Sequence, residues 1–303
     1  LPWHRILVNE FDKELQSIDP SVILPYWDWA SDSANPADSA VFSNDAFGGD
    51  GDPSTGCVTN GAFSNWQVSY PRPHCLQRRF NGRNSAIQRW YSPEQTAAIV
   101  FRYKDCNFIN NLYLDTQFRS AFESTPHAAV HNSIGGDMRQ NYSPNDPLFW
   151  LHHANVDRYF HAWQMENPRS PYNGGSINAV LQPFGVSVST AYSLPTDSRL
   201  CYTYSVGSNS IRNSVRKRST SPGDLQCPAH IPETYTLRMG GSVERVRMTE
   251  EFVCDFTRRL NQKRDLSSGL KIEKSIPENK NTNNTIWRFS CGKERKMILE
   301  ALE

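Results

Sequence analysis

The residues best equipped for chemistry are the histidines. Eight are present: His4, His74, His127, His131, His152, His153, His161 and His230. The run His127-Ala128-Ala129-Val130-His131 sets two imidazoles four positions apart, one above the other on a helix face, so that two ring nitrogens can converge on one metal ion. A zinc-protease helix uses the same spacing, but here no Glu follows the first histidine, and the hydrolytic base is missing. A further pair, Leu151-His152-His153-Ala154, follows in the next helical segment. Three neutral imidazoles without thiolate or carboxylate suit copper, zinc or iron. Adjacent histidines in an apolar stretch are costly to bury without a purpose, which favours a ligand role.

Elements must hold these side chains in place. Asn145-Asp146-Pro147 reads as a turn and helix start that delivers Phe149-Trp150-Leu151-His152-His153, in a helix expected over 147–165. Asp157 lies one turn beyond His153, where it could hold a ligand ring by its free N–H. Helical patterning also predicts segments at 93–104, 115–123, 126–133 and 243–264. A further helix is expected over 3–17, where Leu7, Phe11 and Leu15 recur every four residues. Ile23-Leu24-Pro25-Tyr26-Trp27-Asp28-Trp29 is apolar and aromatic, and its proline forbids an ordinary helix interior. Residues 31–75, rich in Ser, Asp, Asn, Gly and Pro, read as a long irregular loop, a kind that is usually functional or strapped down. Trp3, Tyr26, Trp27, Trp29 and Trp150 are expected to pack the core.

Composition excludes several classes. The 303 residues, 38% hydrophobic and 21% charged, suit a folded chain. A net charge of +1 gives no general attraction to nucleic acid, and no apolar run reaches the roughly 18 residues a membrane span needs. Seven cysteines are scattered without a CxxC pair, so zinc-ribbon and thioredoxin readings fail, and the single Cys227-x2-His230 pair is a weak zinc signal. Cys57 and Cys75 bracket a loop-like segment and could pair. With the sequons at Asn141 and Asn283, this points to a secreted protein in an oxidising compartment. After residue 205 come a low-complexity run from Val206 to Ser210, the basic Arg216-Lys217-Arg218 and a Ser/Pro/Gly stretch, which read as a linker. The expected division is a catalytic-type core at 1–205, with a linker and C-terminal extension at 206–303.

Six motifs occur in one order: Trp3-His4-Arg5, Pro25-Tyr26-Trp27-Asp28-Trp29, His127-x3-His131, Ser143-Pro144-Asn145-Asp146-Pro147, His152-His153-Ala154-Asn155-Val156-Asp157-Arg158 and Cys201-Tyr202-Thr203-Tyr204. Together they resemble the tyrosinase and catechol oxidase family, and Gly51-Asp52-Pro53 with Pro73-His74-Cys75-Leu76 resembles its fungal-type members. The resemblance implies a mainly α fold with long irregular loops and little β. Its core is a four-helix bundle holding a type 3 centre, two copper ions each bound by three histidines. It implies as partners O2 and a phenolic small molecule, hydroxylated to a catechol or oxidised to an o-quinone.

For the second copper the matching ligands are His127, His131 and His153, the second of its pair, one turn after Phe149. For the first copper only His4 matches. Its two partners are expected upstream of residue 1, since the chain opens on Leu1 without Met and no spare histidine replaces them. Glu123 matches the carboxylate that orders a water near the copper, through which it could take a phenol proton. Ala128 stands where strongly monophenol-active members often carry Asn, so o-diphenols are expected to be oxidised better than monophenols. Phe149, Asp157, Ala128 and Asn132 are the expected supporting or gating residues, with Arg5 and Asp157 as a candidate pair between two copper helices. Oxygen carriage of the haemocyanin kind and a copper-poor non-catalytic protein are the alternatives.

Overall fold

The computed structural model describes residues 1–103, 114–168, 170–192, 194, 200, 202–204 and 224–269. The basic linker run 216–218, the sequon at Asn283, and Cys106, Cys201 and Cys291 lie outside them. The architecture is mainly α with little β, as expected. Helix α1 (Pro2–Ile18) starts on a proline suited to its first turn and stops before Pro20. Its buried side comprises Pro2, Arg5, Ile6, Val8 and Asn9 rather than the stripe Leu7, Phe11 and Leu15. The stripe lies on the flank, with Phe11 stacked on Trp150 at 3.7 Å between ring centres. Arg5 can lie on the inward side because its partner helix offers it a carboxylate.

Helix α2 (Pro93–Arg102) is fixed by a full capping box, Ser92 accepting from the Gln95 amide while the Gln95 side chain accepts from the Ser92 amide. It is buried from Pro93 to Val100, because α3 (Leu114–Phe122), α5 (Leu148–Glu166) and α8 (Val243–Gly269) pack around it. A one-turn π-helix, Glu123–His127, links α3 to α4 (Ala128–Ile134). Helix α5 is the central rod, with Leu148, Phe149 and Leu151 through Trp163 all buried. Short helices α6 (Val188–Tyr192) and α7 (Glu233–Arg238) complete the described set.

The β content among the described residues is two antiparallel hairpins. β1 (Gln67–Val68) pairs with β2 (His74–Cys75), and β3 (Val180–Leu181) with β4 (Val186–Ser187). Residues 29–80 form the long loop, strapped by a Cys57–Cys75 disulfide. One apolar core gathers Trp27, Trp29, Trp90, Phe118, Phe122, Val130, Phe160 and Trp163, and it includes Ile231, Tyr235, Val246 and Val253 from the C-terminal part. A Cys227–Cys254 disulfide, which leaves no thiol for the weak zinc pair, ties the start of that part to α8. Of the aromatics expected inside, Trp27 and Trp29 are buried, Trp150 is partly buried against the core, and Trp3 and Tyr26 are at the surface. Each of the last two has a polar errand: the Trp3 indole donates to the Gln182 carbonyl, and the Tyr26 ring carries the Arg158 guanidinium.

The pair expected between two helices is present. Arg5 Nε on α1 donates to Asp157 Oδ1 on α5 at 2.6 Å, and both side chains are buried. Tyr202 and Tyr204 donate to the other Asp157 oxygen at 2.7 and 2.8 Å, sewing residues 202–204 onto α5. Removing one partner of a buried ion pair leaves the other charge uncompensated. Asp157→Ala is therefore expected to cost about 3–5 kcal/mol in urea unfolding. The Arg5→Ala, Asp157→Ala double variant should cost clearly less than the sum of the two single changes; additive losses would mean that the pair is not coupled.

Candidate metal centre

Four histidines meet where α4 and α5 face each other. His127, His131, His152 and His153 are all buried, and one ligand nitrogen from each lies within 4.8 Å of the others. Pro126 shapes the first part of this group. Without an N–H, and with a ring that collides with the preceding turn, it cannot continue a regular α-helix, and the chain answers with the wide π-turn Glu123–His127. The Glu123 carbonyl then accepts from His127 Nδ1 at 2.9 Å. His131, one turn on, gives its Nδ1 proton to the Met138 carbonyl at 2.7 Å. Both bonds fix the tautomer, leaving Nε2 of each ring with a bare lone pair turned away from the backbone.

Those lone pairs have the surroundings of ligand atoms. His131 Nε2 and His153 Nε2 face each other at 3.2 Å. His127 Nε2, both nitrogens of His152 and Nδ1 of His153 are buried without a hydrogen-bond partner. Burying a polar atom unpaired costs about 1–3 kcal/mol, so His127 Nε2, which lies within the group, is expensive to leave bare unless a cation uses it. Burial first, and the neighbouring rings second, hold the proton off: His131 is pushed down to about 3, and His152 and His153 fall well below the usual histidine range. These rings are thus neutral near pH 7, the form that a borderline metal such as copper requires. The donor set fits copper.

The sequence of this chain matches the common central domain of tyrosinase over residues 1–166. The chain belongs to the tyrosinase family. It is 35% identical to tyrosinase of Streptomyces antibioticus over 191 residues, covering 59% of this chain and 68% of that protein. Against tyrosinase of Streptomyces glaucescens the identity is 35% over 184 residues, 57% of this chain and 64% of the relative. Tyrosinase-like protein phomQ1 of Diaporthe leptostromiformis is 31% identical over 250 residues, 67% of this chain and 62% of the relative. The chain thus spans about two thirds of the length of these relatives.

In this tyrosinase-family chain the other expected residues take definite places. His4 stacks on His153 with ring centres 4.3 Å apart, and burial is the first cause that lowers it to about 4. Phe149 is buried against His153 at 4.1 Å, Ala128 and Asn132 are buried on α4, and His152 joins the group although the family resemblance selects its neighbour alone. Asp157 does not hold a histidine ring. Arg5, Tyr202 and Tyr204 occupy its oxygens, and the orienting role falls to the Glu123 and Met138 carbonyls, which sequence spacing gave no means to identify. The remaining histidines stand apart: His74 against Asp137, His161 beside Tyr204, His230 on Glu250.

Glu123 is 40% exposed, with Oε1 3.8 Å from His127 Nδ1. Desolvation opposes its ionisation, but positive charge on His127 first, then on the amino group of Leu1, on His4 and on His131, outweighs it and holds the carboxyl below the usual carboxylate range. It is therefore an anion and a hydrogen-bond acceptor near pH 7, and a weak base. Above it opens a cleft of about 390 Å³, with Glu123, His127 and Ala128 on one side and Tyr235, Met239 and Arg245 on the other.

Depressed histidines make the metal-free chain sensitive to acid. Folded pKa values of about 3 and 4 for His131 and His4 lie below the ordinary 6.5. Between those limits the unfolded chain binds more protons, so stability falls as the pH falls. Urea midpoints of the metal-free protein should therefore drop on acidification from neutrality to pH ~4.5. His131→Gln should flatten part of that slope, and an unchanged slope would mean that His131 does not contribute to it.

Proposed function

We propose that this protein is a copper-dependent phenol oxidase that converts phenols, o-diphenols above all, to o-quinones with O2. The observation that carries this reading is the buried imidazole group, in which His127 and His131 have Nδ1 pinned to carbonyls, set in a tyrosinase-family chain. His127, His131 and His153 are proposed to hold one copper ion, and His4, stacked on His153, to contribute to a second. Bound copper supplies the electron transfer between phenol and O2.

The protein's own groups do the rest. The cleft over His127 admits one aromatic ring, since a cavity of about 150 Å³ already accepts benzene. Glu123, anionic and half-exposed at the cleft floor, accepts a hydrogen bond from the phenol O–H or from a water beside it. Ala128 brings no second polar group to that water, which supports the preference for substrates already carrying two hydroxyls. Phe149 and the core rings below the histidines keep bulk water out. Residues 1–205 are proposed as the catalytic core. The described part of the extension contributes the facing wall of the cleft, through Tyr235, Met239 and Arg245. The disulfides Cys57–Cys75 and Cys227–Cys254 support a secreted protein. Oxygen carriage is the weaker reading, because a carrier needs substrate excluded and here a cleft reaches a member of the histidine group.

Copper per chain and turnover on a catechol and on the matching monophenol test the proposal. Catechol turnover should exceed monophenol turnover several-fold, and Ala128→Asn should narrow that gap; equal turnover in the wild type would remove the preference. His153→Gln should lose a copper equivalent and the activity with it, whereas His152→Gln should keep the copper. The reverse pattern would reassign the ligand, and a wild type that takes up no copper would overturn the function.

A further inference from the structure

His131 depends on a structure outside its own helix. The Met138 carbonyl that fixes its ring belongs to the 3-10 turn Gly136–Arg139, and that turn leans on the disulfide-strapped loop. Gly135 and Gly136 adopt φ of +68° and +50°. A Cβ on Gly135 would sit 2.0 Å from the Arg79 carbonyl oxygen, and one on Gly136 would sit 2.1 Å from that of Gln77. The two backbones touch, and only glycine fits. Crossing bonds hold the contact: the Asp137 amide donates to the Gln77 carbonyl at 2.9 Å, the Arg79 amide to Ile134 at 2.9 Å and the Asn81 amide to Ser133 at 3.0 Å.

Asp137 is the side chain that locks this crossing. It is buried, and its oxygens lie 3.0 and 3.3 Å from His74 Nε2, with Oδ2 accepting from the Gln77 amide at 3.4 Å. His74 Nδ1 faces the Arg72 carbonyl at 2.7 Å. Both ring nitrogens of His74 thus face oxygen acceptors, the arrangement of an imidazolium paired with a carboxylate. His74 sits on β2 beside Cys75, whose bond to Cys57 anchors the strand. Next along the chain from Gln77, the buried Arg78 clasps Asp146 in a bidentate pair at 2.7 and 2.9 Å. Asp146 in turn accepts from the Leu148 amide at the start of the helix that carries His153. One stretch of loop, 74–79, therefore braces the anchor points of both ligand helices.

We propose that Asp137, held by His74, is a positioning residue for the metal centre. It fixes the Gly136–Arg139 turn so that the Met138 carbonyl keeps His131 in the Nδ1–H tautomer with Nε2 toward the metal. The inference rests on the metal-centre reading above, and part of its test does not need metal.

The test compares the wild type with Asp137→Ala, Asp137→Asn and His74→Gln. The tautomer of His131 is read by long-range proton–nitrogen NMR on the metal-free protein, and the dissociation constant for Cu(II) is read against a competing chelator. Asp137→Ala should lose the single Nδ1–H signature of His131 and weaken copper binding by about 10–100-fold, the usual effect of removing an outer-shell partner. Asp137→Asn, which keeps an acceptor for the Gln77 amide, should restore most of both. If Asp137→Ala does not fold, His74→Gln, changed at a partly exposed ring, is expected to shift both readouts in the same direction to a smaller extent. Unchanged tautomer and unchanged copper affinity in the folded variants would overturn the proposal. Loss of the tautomer signature in a protein whose wild type binds no copper would uphold the positioning role and sink the metal-centre reading.

Discussion

Four imidazoles can share a dry space only if none of them is protonated and each is aimed. His127, His131, His152 and His153 lie within 4.8 Å at their ligand atoms, so one added proton would place a charge in low dielectric among three dipoles. At His131, His152 and His153 burial excludes that proton, and the bundle must then supply the orientation that a salt bridge would otherwise give. Much of the surrounding structure answers that need. The π-turn at Pro126 turns the Glu123 carbonyl toward His127, and the glycine turn after α4 brings the Met138 carbonyl to His131. Backbone carbonyls suit the task because they accept a proton without carrying a charge of their own.

Most of the charged groups are kept a layer further out, and there they tie the helices together. Arg5 and Asp157 join α1 to α5, with Tyr202 and Tyr204 on the same carboxylate, and Arg78 and Asp146 join the long loop to the start of α5. Each of these charges is buried and paired, so displacing α1, α5 or the loop would strand one of them. The result is a frame that resists small rotations of the ligand helices, which is what a metal site needs if its donors are to stay converged. The C-terminal part joins the same frame through Tyr235, Val246 and Val253 in the core, and it forms one wall of the cleft above His127.

Much of this was legible in the residues themselves. The helices over 3–17, 93–104, 115–123, 147–165 and 243–264 lie close to the observed elements, because caps and apolar period are local properties. The pairing of Arg5 with Asp157 was legible only as an expectation, since nothing in spacing shows which of two buried donors a carboxylate will choose. For the same reason Asp157 read as a holder of a histidine ring, whereas three other donors occupy it. The stripe Leu7, Phe11 and Leu15 marked α1 as a helix, but it did not mark the side that is buried, which includes Arg5. Trp3 and Tyr26 were expected inside on hydrophobicity alone, yet a hydrogen bond and a cation–π contact hold them at the surface.

The sequence by itself determined the kind of chemistry. Two histidines at i and i+4, a second pair after a helix start, and no thiolate or hydrolytic Glu beside them specify an imidazole metal site, because ligand type and helical spacing are written in the chain. The tertiary structure decided which nitrogen of His127 and His131 is free, that His152 stands within the same group, that His4 lies against His153, and that a distant loop holds the turn behind His131. Those choices arise from contacts between residues far apart in the chain, where backbone carbonyls act as partners. Every residue has a carbonyl, so composition and spacing carry no mark of the ones that matter.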